Sequence, residues 1–284
     1  MSVVYLNGEF MDSSEAQVSV MDRGFLFGDG VYEVIPVFSG KLFRIEEHLK
    51  RLSRSLKAIR IEVALDAGDW TDLIKDIILR NGGGNLSIYL QVTRGVEEER
   101  GHAFPNNPNP TIFIMANPLP GSDNRPPAVG KKAITVQDIR WQRCDIKAIA
   151  LLANVLHLQQ ALDAGADEAI LQRGNEVVEG AASNLFIVKN NTIITPPKDE
   201  RLLGGVTRDL ILELSTEAAI PITEQPIALS DLYSAQEVWL TSSTRELVPI
   251  IQVDFKTIAD GKVGPIWHKV VDLYCDFKKT MAGA

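Results

Sequence analysis

The chain has 284 residues, of which 45% are hydrophobic and 23% are charged, the balance of a globular protein that can bury a sizeable core. Its formal net charge of −8, without a long basic block, argues against non-specific binding to nucleic acid or to an anionic membrane. No apolar stretch is long enough to cross a bilayer, and the N-terminal residues resemble neither a signal peptide nor a transit peptide. The 2 cysteines form no disulfide framework, so we expect a protein of the reducing cytoplasm. Neither they nor the 4 scattered histidines show metal-ligand spacing, so we expect no metal site.

Hairpin and helix signals alternate in the first part of the chain. Turn residues at Asn7–Gly8 and Ser39–Gly40, each between apolar stretches, predict two β-hairpins. Apolar residues at helical spacing predict amphipathic helices over residues 45–61 and 69–84, and glycines end the second helix. Two further strands enclose a polar loop over residues 97–109.

The second part of the chain follows a stretch dense in proline, glycine and Asx residues, residues 117–130, which is the best candidate for a linker. We therefore expect two α+β domains, residues 1–119 and residues 120–284, with largely antiparallel pairing. The strands expected after the linker lie over 132–141, 237–244 and 247–255, with a strand, a turn and a strand over 168–180 and a hairpin over 184–197 that turns at Asn190–Asn191. Helices are expected over 150–165, 204–220 and 264–281.

Lys147 lies at the edge of an apolar segment, residues 148–153. Burying a lysine ammonium is costly, because the charge must be desolvated or paired. A lysine amine that loses its proton is a nucleophile and can form a Schiff base with an aldehyde. The ordinary alternative is a lysine whose ammonium reaches back to water, and the local pattern alone favours that alternative.

Other stretches suit a ligand that carries a ring and a phosphate. Glu179 precedes small residues that let a ligand approach the backbone, and a carboxylate beside a ring nitrogen keeps that nitrogen protonated, as pyridoxal phosphate requires. A pair of glycines leads into a helix whose first turn holds Val206 and Thr207, an arrangement that favours a phosphate. Hydroxyls at residues 241–244 could complete such a site, and Arg51 could supply the counter-charge, although Arg54 competes with it. Each residue also has an ordinary interpretation, a solvated side chain or a polar turn.

Tyr32, Arg100 and His102 are candidates for binding a carboxylate, because a hydroxyl, a guanidinium and an imidazole together suit that group. Nothing in their spacing indicates that they meet, and each is an ordinary surface or core residue when taken alone.

Taken in order, several stretches resemble the class IV, or fold type IV, pyridoxal-phosphate aminotransferases. The likeness covers nearly the whole chain, and the "RGH" element at residues 100–102 makes it most similar to the bacterial D-amino acid aminotransferases. The stretches that carry the resemblance are "RGFLFGDGVYEV", "HLKRL", "QVTRG", "DIRWQRCDIKAIALLANVL", "EAIL", "VVEGAASNLFIV", "GGVTRD" and "LTSSTRELVPI".

The resemblance implies an α+β fold with a small N-terminal α/β sandwich domain and a larger C-terminal pseudo-barrel domain that binds pyridoxal 5'-phosphate. It implies that Lys147 forms the Schiff base and moves the proton, that Glu179 faces the pyridine nitrogen, and that Leu203 packs against the ring. The remaining implied roles are phosphate binding by Arg51, Val206, Thr207 and Ser243, and binding of the substrate carboxylate by Tyr32, Arg100 and His102.

A homodimer is also implied, with Arg100 and His102 contributed across the interface. The implied reaction moves an amino group from a D-amino acid of the D-alanine type to 2-oxoglutarate. Alternatives on the same scaffold are a transaminase for branched-chain L-amino acids or (R)-amines and a 4-amino-4-deoxychorismate lyase, and a protein that binds the cofactor without catalysis is a further alternative. The chain departs from the expected D-amino acid pattern at Pro36, Ala181, Ala182 and Arg245, which leaves substrate range and cofactor affinity open.

Overall fold

The computed structural model describes residues 2–119 and 125–283, and these ranges form sixteen strands and seven helices. The strands are β1 (Val3–Leu6), β2 (Glu9–Asp12), β3 (Gly30–Phe38), β4 (Lys41–Leu42), β5 (Leu86–Thr93), β6 (Thr111–Pro118), β7 (Lys131–Gln137), β8 (Glu168–Arg173), β9 (Glu176–Gly180), β10 (Asn184–Lys189), β11 (Thr192–Thr195), β12 (Ile222–Glu224), β13 (Ile227–Ala228), β14 (Glu237–Ser242), β15 (Glu246–Val253) and β16 (Lys256–Thr257). The helices are α1 (Arg23–Phe27), α2 (Ile45–Ala58), α3 (Ala67–Arg80), α4 (Leu152–Asp163), α5 (Val206–Glu217), α6 (Leu229–Tyr233) and α7 (Pro265–Gly283).

Contacts between Cα atoms divide the chain into two compact units, and a short segment of the first unit interrupts the sequence of the second. The first unit comprises Met1–Asp123 and the short segment Ile146–Ala150, and the second comprises Asn124–Asp145 and Leu151–Ala284. The predicted domain boundary between residues 119 and 120, and part of the predicted linker, fall on or beside residues 120–124, which lie outside the described residues.

The first unit is a layer of helices on a six-stranded sheet, with strand order β2-β1-β6-β5-β3-β4 and antiparallel pairing at every step. Helix α2 packs on β3, and α3 packs on β1 and β6. Alternating side chains of the strands meet the apolar stripes of the helices, so that Ile35, Ile74, Ile77, Ile88 and Leu90 are fully buried between the layers.

The segment Ile146–Ala150 lies along the start of β3, on the edge away from β5. The Tyr32 amide donates to the Lys147 carbonyl at 3.0 Å, and the Ile149 amide donates to the Gly30 carbonyl at 3.1 Å. Lys147 is therefore held by strand-like pairing to the sheet of the first unit, a long-range contact that local sequence patterns do not predict.

The second unit is built on a ten-stranded sheet that curls into a half-barrel, with strand order β12-β11-β10-β14-β15-β7-β8-β9-β13 and β16 paired to β15. Most pairs are antiparallel, as expected, but β7 is parallel to both β8 and β15, and β11 is parallel to β12. Helix α4 packs on β7 and β8, while α5 and α7 pack on each other and on β14. This mixture of helices and strands in two units is the α+β class that the sequence predicted.

The prediction of one strand over residues 132–141 is wrong at its C-terminal end, because β7 stops at Gln137. There the Asp138 carboxylate accepts a hydrogen bond from the Arg140 backbone amide at 2.9 Å, which turns the chain out of the sheet. Short elements such as α1 and α6 were not predicted, since five residues are too few to show a periodicity.

None of the helices in the described ranges combines the length and the apolar character needed to cross a membrane. Over the same residues, no three His, Cys, Asp or Glu side chains lie together in a way that could hold a metal ion.

Candidate functional site

Lys147 and Tyr32 are brought together in the first unit. The Lys147 ammonium lies 4.1 Å from the centre of the Tyr32 ring, a cation–π contact that orients the lysine side chain. The Lys147 amide donates to the hydroxyl of Ser55, a buried residue of α2, at 3.3 Å. The side chain is half-buried, so Lys147 is neither a fully solvated lysine nor a sealed core residue.

Arg51 is buried on α2 and pairs with Glu33, which the sequence analysis did not single out. Its Nε and Nη2 donate to the two Glu33 carboxylate oxygens, each at 2.7 Å, and His48 Nδ1 lies 2.8 Å from Glu33 Oε2. Burial raises the pKa of Glu33, but the Arg51 charge and the hydrogen bonds from Arg51 and His48 outweigh it and hold that pKa well below its usual range. For His48, whose charged form is the protonated one, burial lowers the pKa. A charged residue at an inward-facing position of the apolar strand β3 is the signal that could have identified Glu33.

Arg100 and His102 lie in the loop that follows β5, and both contact the ring of Phe27 in α1. The Arg100 guanidinium carbon lies 4.7 Å from the centre of the Phe27 ring, and the His102 ring centre lies 5.2 Å from it. Within the described part of one chain Tyr32 has other contacts, since its ring stacks on Tyr89 and the Lys147 amine lies over it. The structure thus brings together two of the three candidate carboxylate ligands.

Glu179 is buried at the end of β9 in the second unit, where it accepts hydrogen bonds from three groups. These are Arg140 Nη1 at 2.5 Å, Asn184 Nδ2 at 3.2 Å and the Leu203 amide at 3.2 Å. Burial raises the pKa of Glu179 above its usual value. The charge and hydrogen bond of Arg140 and the hydrogen bond from the Leu203 amide offset only part of that rise. Arg140 is itself held by Asp138 at 2.9 Å. The predicted cofactor ligand is therefore fixed by a network that the sequence did not indicate.

Asn184 links Glu179 to the start of α5. Its amide also donates to the Leu203 carbonyl at 2.7 Å, and a Cβ added at Gly205 would lie 1.9 Å from its Oδ1. Gly205 is the N-cap residue of α5 and has no side chain that could cap the helix. The backbone amides of Val206 and Thr207, in the first turn, therefore donate no hydrogen bond to a capping side chain. A helix start of this kind attracts a phosphate.

Ser243 lies in the turn between β14 and β15, next to buried hydroxyls. Thr241 Oγ1 and Ser183 Oγ are buried, and neither has a hydrogen-bond partner among the described residues. Unpaired buried hydroxyls are costly unless a ligand or water satisfies them. These hydroxyls, the α5 N-terminus and the buried Glu179 carboxylate provide the donors and the acceptor that pyridoxal phosphate needs, so the residues of this unit fit the cofactor.

Arg245, one of the departures from the expected pattern, follows Ser243 in the same turn. Its guanidinium pairs with Glu168, which is buried at the start of β8. On the other side of the turn, Glu246 pairs with Lys278 of α7 at 2.6 Å. The turn that carries Ser243 is thus held between two ion pairs.

Comparison with known proteins places the chain in a family. Residues 30–253 match the family model described as amino-transferase class IV. The chain is 40% identical over 275 residues to the D-alanine aminotransferase of Staphylococcus haemolyticus, covering 95% of each protein. It is 38% identical over 264 residues to the D-alanine aminotransferase of Listeria monocytogenes, covering 93% of this chain and 91% of the relative.

Solved structures show the same scaffold. The branched-chain aminotransferase of the archaeon Thermoproteus uzoniensis, solved with norvaline, superposes with a TM-score of 0.87 at 27% identity, covering 99% of this chain and 95% of that chain. The branched-chain enzyme of Escherichia coli gives a TM-score of 0.86 at 27% identity, covering 95% of this chain and 91% of that chain. The chain belongs to the class IV aminotransferases, which use pyridoxal phosphate, because the family model matches most of its length and its relatives are similar over nearly their full length.

Proposed function

We propose that the protein is a D-amino acid transaminase that moves the amino group of a D-amino acid such as D-alanine to 2-oxoglutarate in a ping-pong cycle. The observation that carries the proposal is the 40% identity, over 95% of each protein, to a D-alanine aminotransferase. The chain also keeps Arg100 and His102, the element that distinguishes the D-amino acid group in the resemblance described above.

Lys147 is proposed as the group that moves the proton. When bound, pyridoxal phosphate supplies the electron sink that makes the α-proton of an amino acid acidic. Lys147 Nζ takes that proton as a general base and later returns it to the other side of the transferred amino group. The Tyr32 ring, 4.1 Å away, fixes the direction of the amine between the two transfers.

Glu179 is proposed to hold the pyridine nitrogen in its protonated form. Its carboxylate is oriented by Asn184 and by the Leu203 amide, and its charge is stabilised by Arg140. A buried carboxylate oriented in this way accepts the ring N–H without having to reorganise, which is the condition for effective electrostatic stabilisation. Leu203 would pack against the ring.

Phosphate binding is proposed for the amides of Val206 and Thr207, the hydroxyl of Ser243 and the guanidinium of Arg51. The first two are supported by the uncapped start of α5. Arg51 uses Nε and Nη2 on Glu33, so its orientation is set before any ligand arrives.

Tyr32, Arg100 and His102 are proposed to bind the substrate carboxylate in a homodimer, with the arginine and histidine reaching the site from the second copy. An exposed apolar face of α4, formed by Leu152 and Val155, supports a second copy, since these side chains are 73% and 61% exposed. Exposed apolar faces of this kind usually mark interfaces. Light scattering coupled to size exclusion would measure the mass, and a monomer with full activity would contradict the homodimer.

The donor panel that tests the function contains D-alanine, L-leucine and (R)-1-phenylethylamine, each with 2-oxoglutarate as acceptor. We expect transfer from D-alanine, measured as pyruvate formed, and no transfer in the Lys147→Ala variant. Lys50→Ala is the matched control, because Lys50 is 75% exposed and pairs only loosely with Glu46 at 3.7 Å. Preference for L-leucine would instead support the branched-chain alternative, whose enzymes share this scaffold. Pyruvate released from 4-amino-4-deoxychorismate without an acceptor would support the lyase.

We also propose that residues 1–119 and 120–284 form separate domains and that the protein is located in the cytoplasm. Limited proteolysis should cut first near residue 120, and cell fractionation should recover the activity with the cytoplasm. Recovery with another fraction would contradict the location.

A further inference from the structure

Helix α1 is a fixed platform in the first unit. The Asp22 carboxylate caps its start by accepting a hydrogen bond from the Gly24 amide at 2.7 Å, and Gly28 ends it with a positive φ of 67°. Asp22 is buried and also accepts hydrogen bonds from Thr93 and Thr111 at 3.0 and 2.6 Å. These hydroxyls belong to β5 and β6, so the helix is attached to the sheet.

Arg23, the first residue of α1, is buried and binds the loop that carries Arg100 and His102. Its Nη1 donates to the Gly101 carbonyl at 2.6 Å, and its Nη2 donates to the His102 carbonyl at 3.4 Å. Its Nε donates to Asp29 at 2.9 Å, but Asp29 also accepts two hydrogen bonds from Arg94. One carboxylate therefore accepts hydrogen bonds from two guanidinium groups. Because it neutralises the charge of Arg23 only in part, Arg23 is attracted more strongly to the loop carbonyls.

Phe27, one turn after Arg23 on α1, supports the side chains of the same loop. Arg100 and His102 lie on this ring, as described above, and the Arg23 guanidinium carbon lies 4.9 Å from its centre. Arg23 thus holds the main chain of the loop, and Phe27 holds its two polar side chains.

We propose that Arg23 and Phe27 are positioning residues, which place Arg100 and His102 for the substrate carboxylate; this inference rests on the proposed function. The loop between Val96 and Thr111 forms no regular element in the structure. A loop without an anchor must be ordered by the substrate, and the entropy of that ordering weakens binding. Contacts made before the substrate arrives avoid that cost.

The test uses Arg23→Lys and Phe27→Leu, each with a matched control elsewhere in the same unit. Arg80 lies over the Phe10 ring at 4.2 Å, so Arg80→Lys and Phe10→Leu make the same changes in a similar contact away from the loop. Lysine at position 23 keeps the charge but cannot serve Asp29 and two carbonyls in one plane. Phe27→Leu removes the aromatic face but keeps both partners of the ion pair between Arg23 and Asp29, which keeps the test valid if Arg23→Lys fails to fold.

We expect the KM values for D-alanine and 2-oxoglutarate to rise about tenfold in both test variants, the effect of losing one charge-assisted contact. We expect kcat to stay within about twofold, because the groups that move the proton are unchanged. Hydrogen exchange at the amides of residues 97–104 should become about tenfold faster in the test variants, as expected when local opening becomes easier. The two control variants should match the wild type in both measurements.

Wild-type exchange at residues 97–104 in both test variants would overturn the inference, as would faster exchange with unchanged KM values. An increase in KM that the two controls share would also overturn it. Failure of the proposed function is a separate outcome, since it would appear as no transfer from D-alanine in the wild type, while the exchange rates would still show whether α1 anchors the loop.

Discussion

The ion pair between Glu33 and Arg51 gives the strongest test of how the first unit is held together. Glu33→Gln keeps the size of the side chain but removes its charge, and it points an amide donor toward Arg51 or His48. Glu33 is 0% exposed and Arg51 is 4% exposed, so the remaining guanidinium cannot recover its lost partner from water. Removing one partner of a buried pair costs about 3 to 5 kcal/mol.

That loss should lower the melting temperature by on the order of 10 °C. We would measure it by thermal and urea unfolding of the wild type and of Glu33→Gln at pH 7, with Glu46→Gln as the exposed control. Glu46 is 80% exposed and should have almost no effect. A loss no larger than that of the control would refute the reasoning that this pair is worth more than a surface contact.

The pH dependence of the same variant follows from the direction of the shift. Because the folded pKa of Glu33 lies below its ordinary value of 4.5, its stabilisation is complete above that value and is lost as the pH falls toward the folded pKa. The difference between the wild type and Glu33→Gln should therefore be constant from pH 6 to 8 and shrink below pH 4.5. A difference that grew on acidification would show that Glu33 is not held in its charged form.

Three further predictions concern the second unit. Glu179→Gln should lower kcat by about a hundredfold or more, with a smaller change in KM, because the carboxylate is proposed to act in the chemical step and not in binding alone; equal kcat values would contradict the proposed role. Ser243→Ala should raise the dissociation constant for pyridoxal phosphate about tenfold, measured by equilibrium dialysis, since the hydroxyl proposed to bind the phosphate is lost. Arg245→Ser should destabilise the fold by about 1 to 3 kcal/mol because Glu168 is left buried without this partner, and adding Glu168→Gln should restore part of the loss in urea unfolding; no recovery in the double variant would mean that the pair is not the cause.

The parts of the fold that follow from local periodicity could be predicted from the sequence. Helices α2 and α3 begin and end within a few residues of their predicted bounds, because their apolar stripes repeat every three to four residues. The start of α5 was also predictable, since Gly204 and Gly205 directly precede a helical pattern.

The parts of the site that depend on contacts between distant residues could not be predicted. Glu33 and Arg51 are 18 positions apart, and Arg140 and Glu179 are 39 apart, so neither pair leaves a local pattern. The same limit applies to Asn184, whose amide connects Glu179 with Leu203 only after the strands have paired. Family resemblance supplied candidate ligands but not the side chains that orient them.

The return of Ile146–Ala150 to the sheet of the first unit has a consequence for how the protein can be divided. The chain leaves the first unit near residue 123, comes back for this segment alone, and leaves again at Leu151. A fragment ending at residue 123 would lack Lys147, and a fragment starting at residue 124 would carry Lys147 without the strand edge that holds it. Lys147 therefore depends for its position on strand residues that precede it by more than 100 positions, and a gene split near residue 123 would separate it from its support.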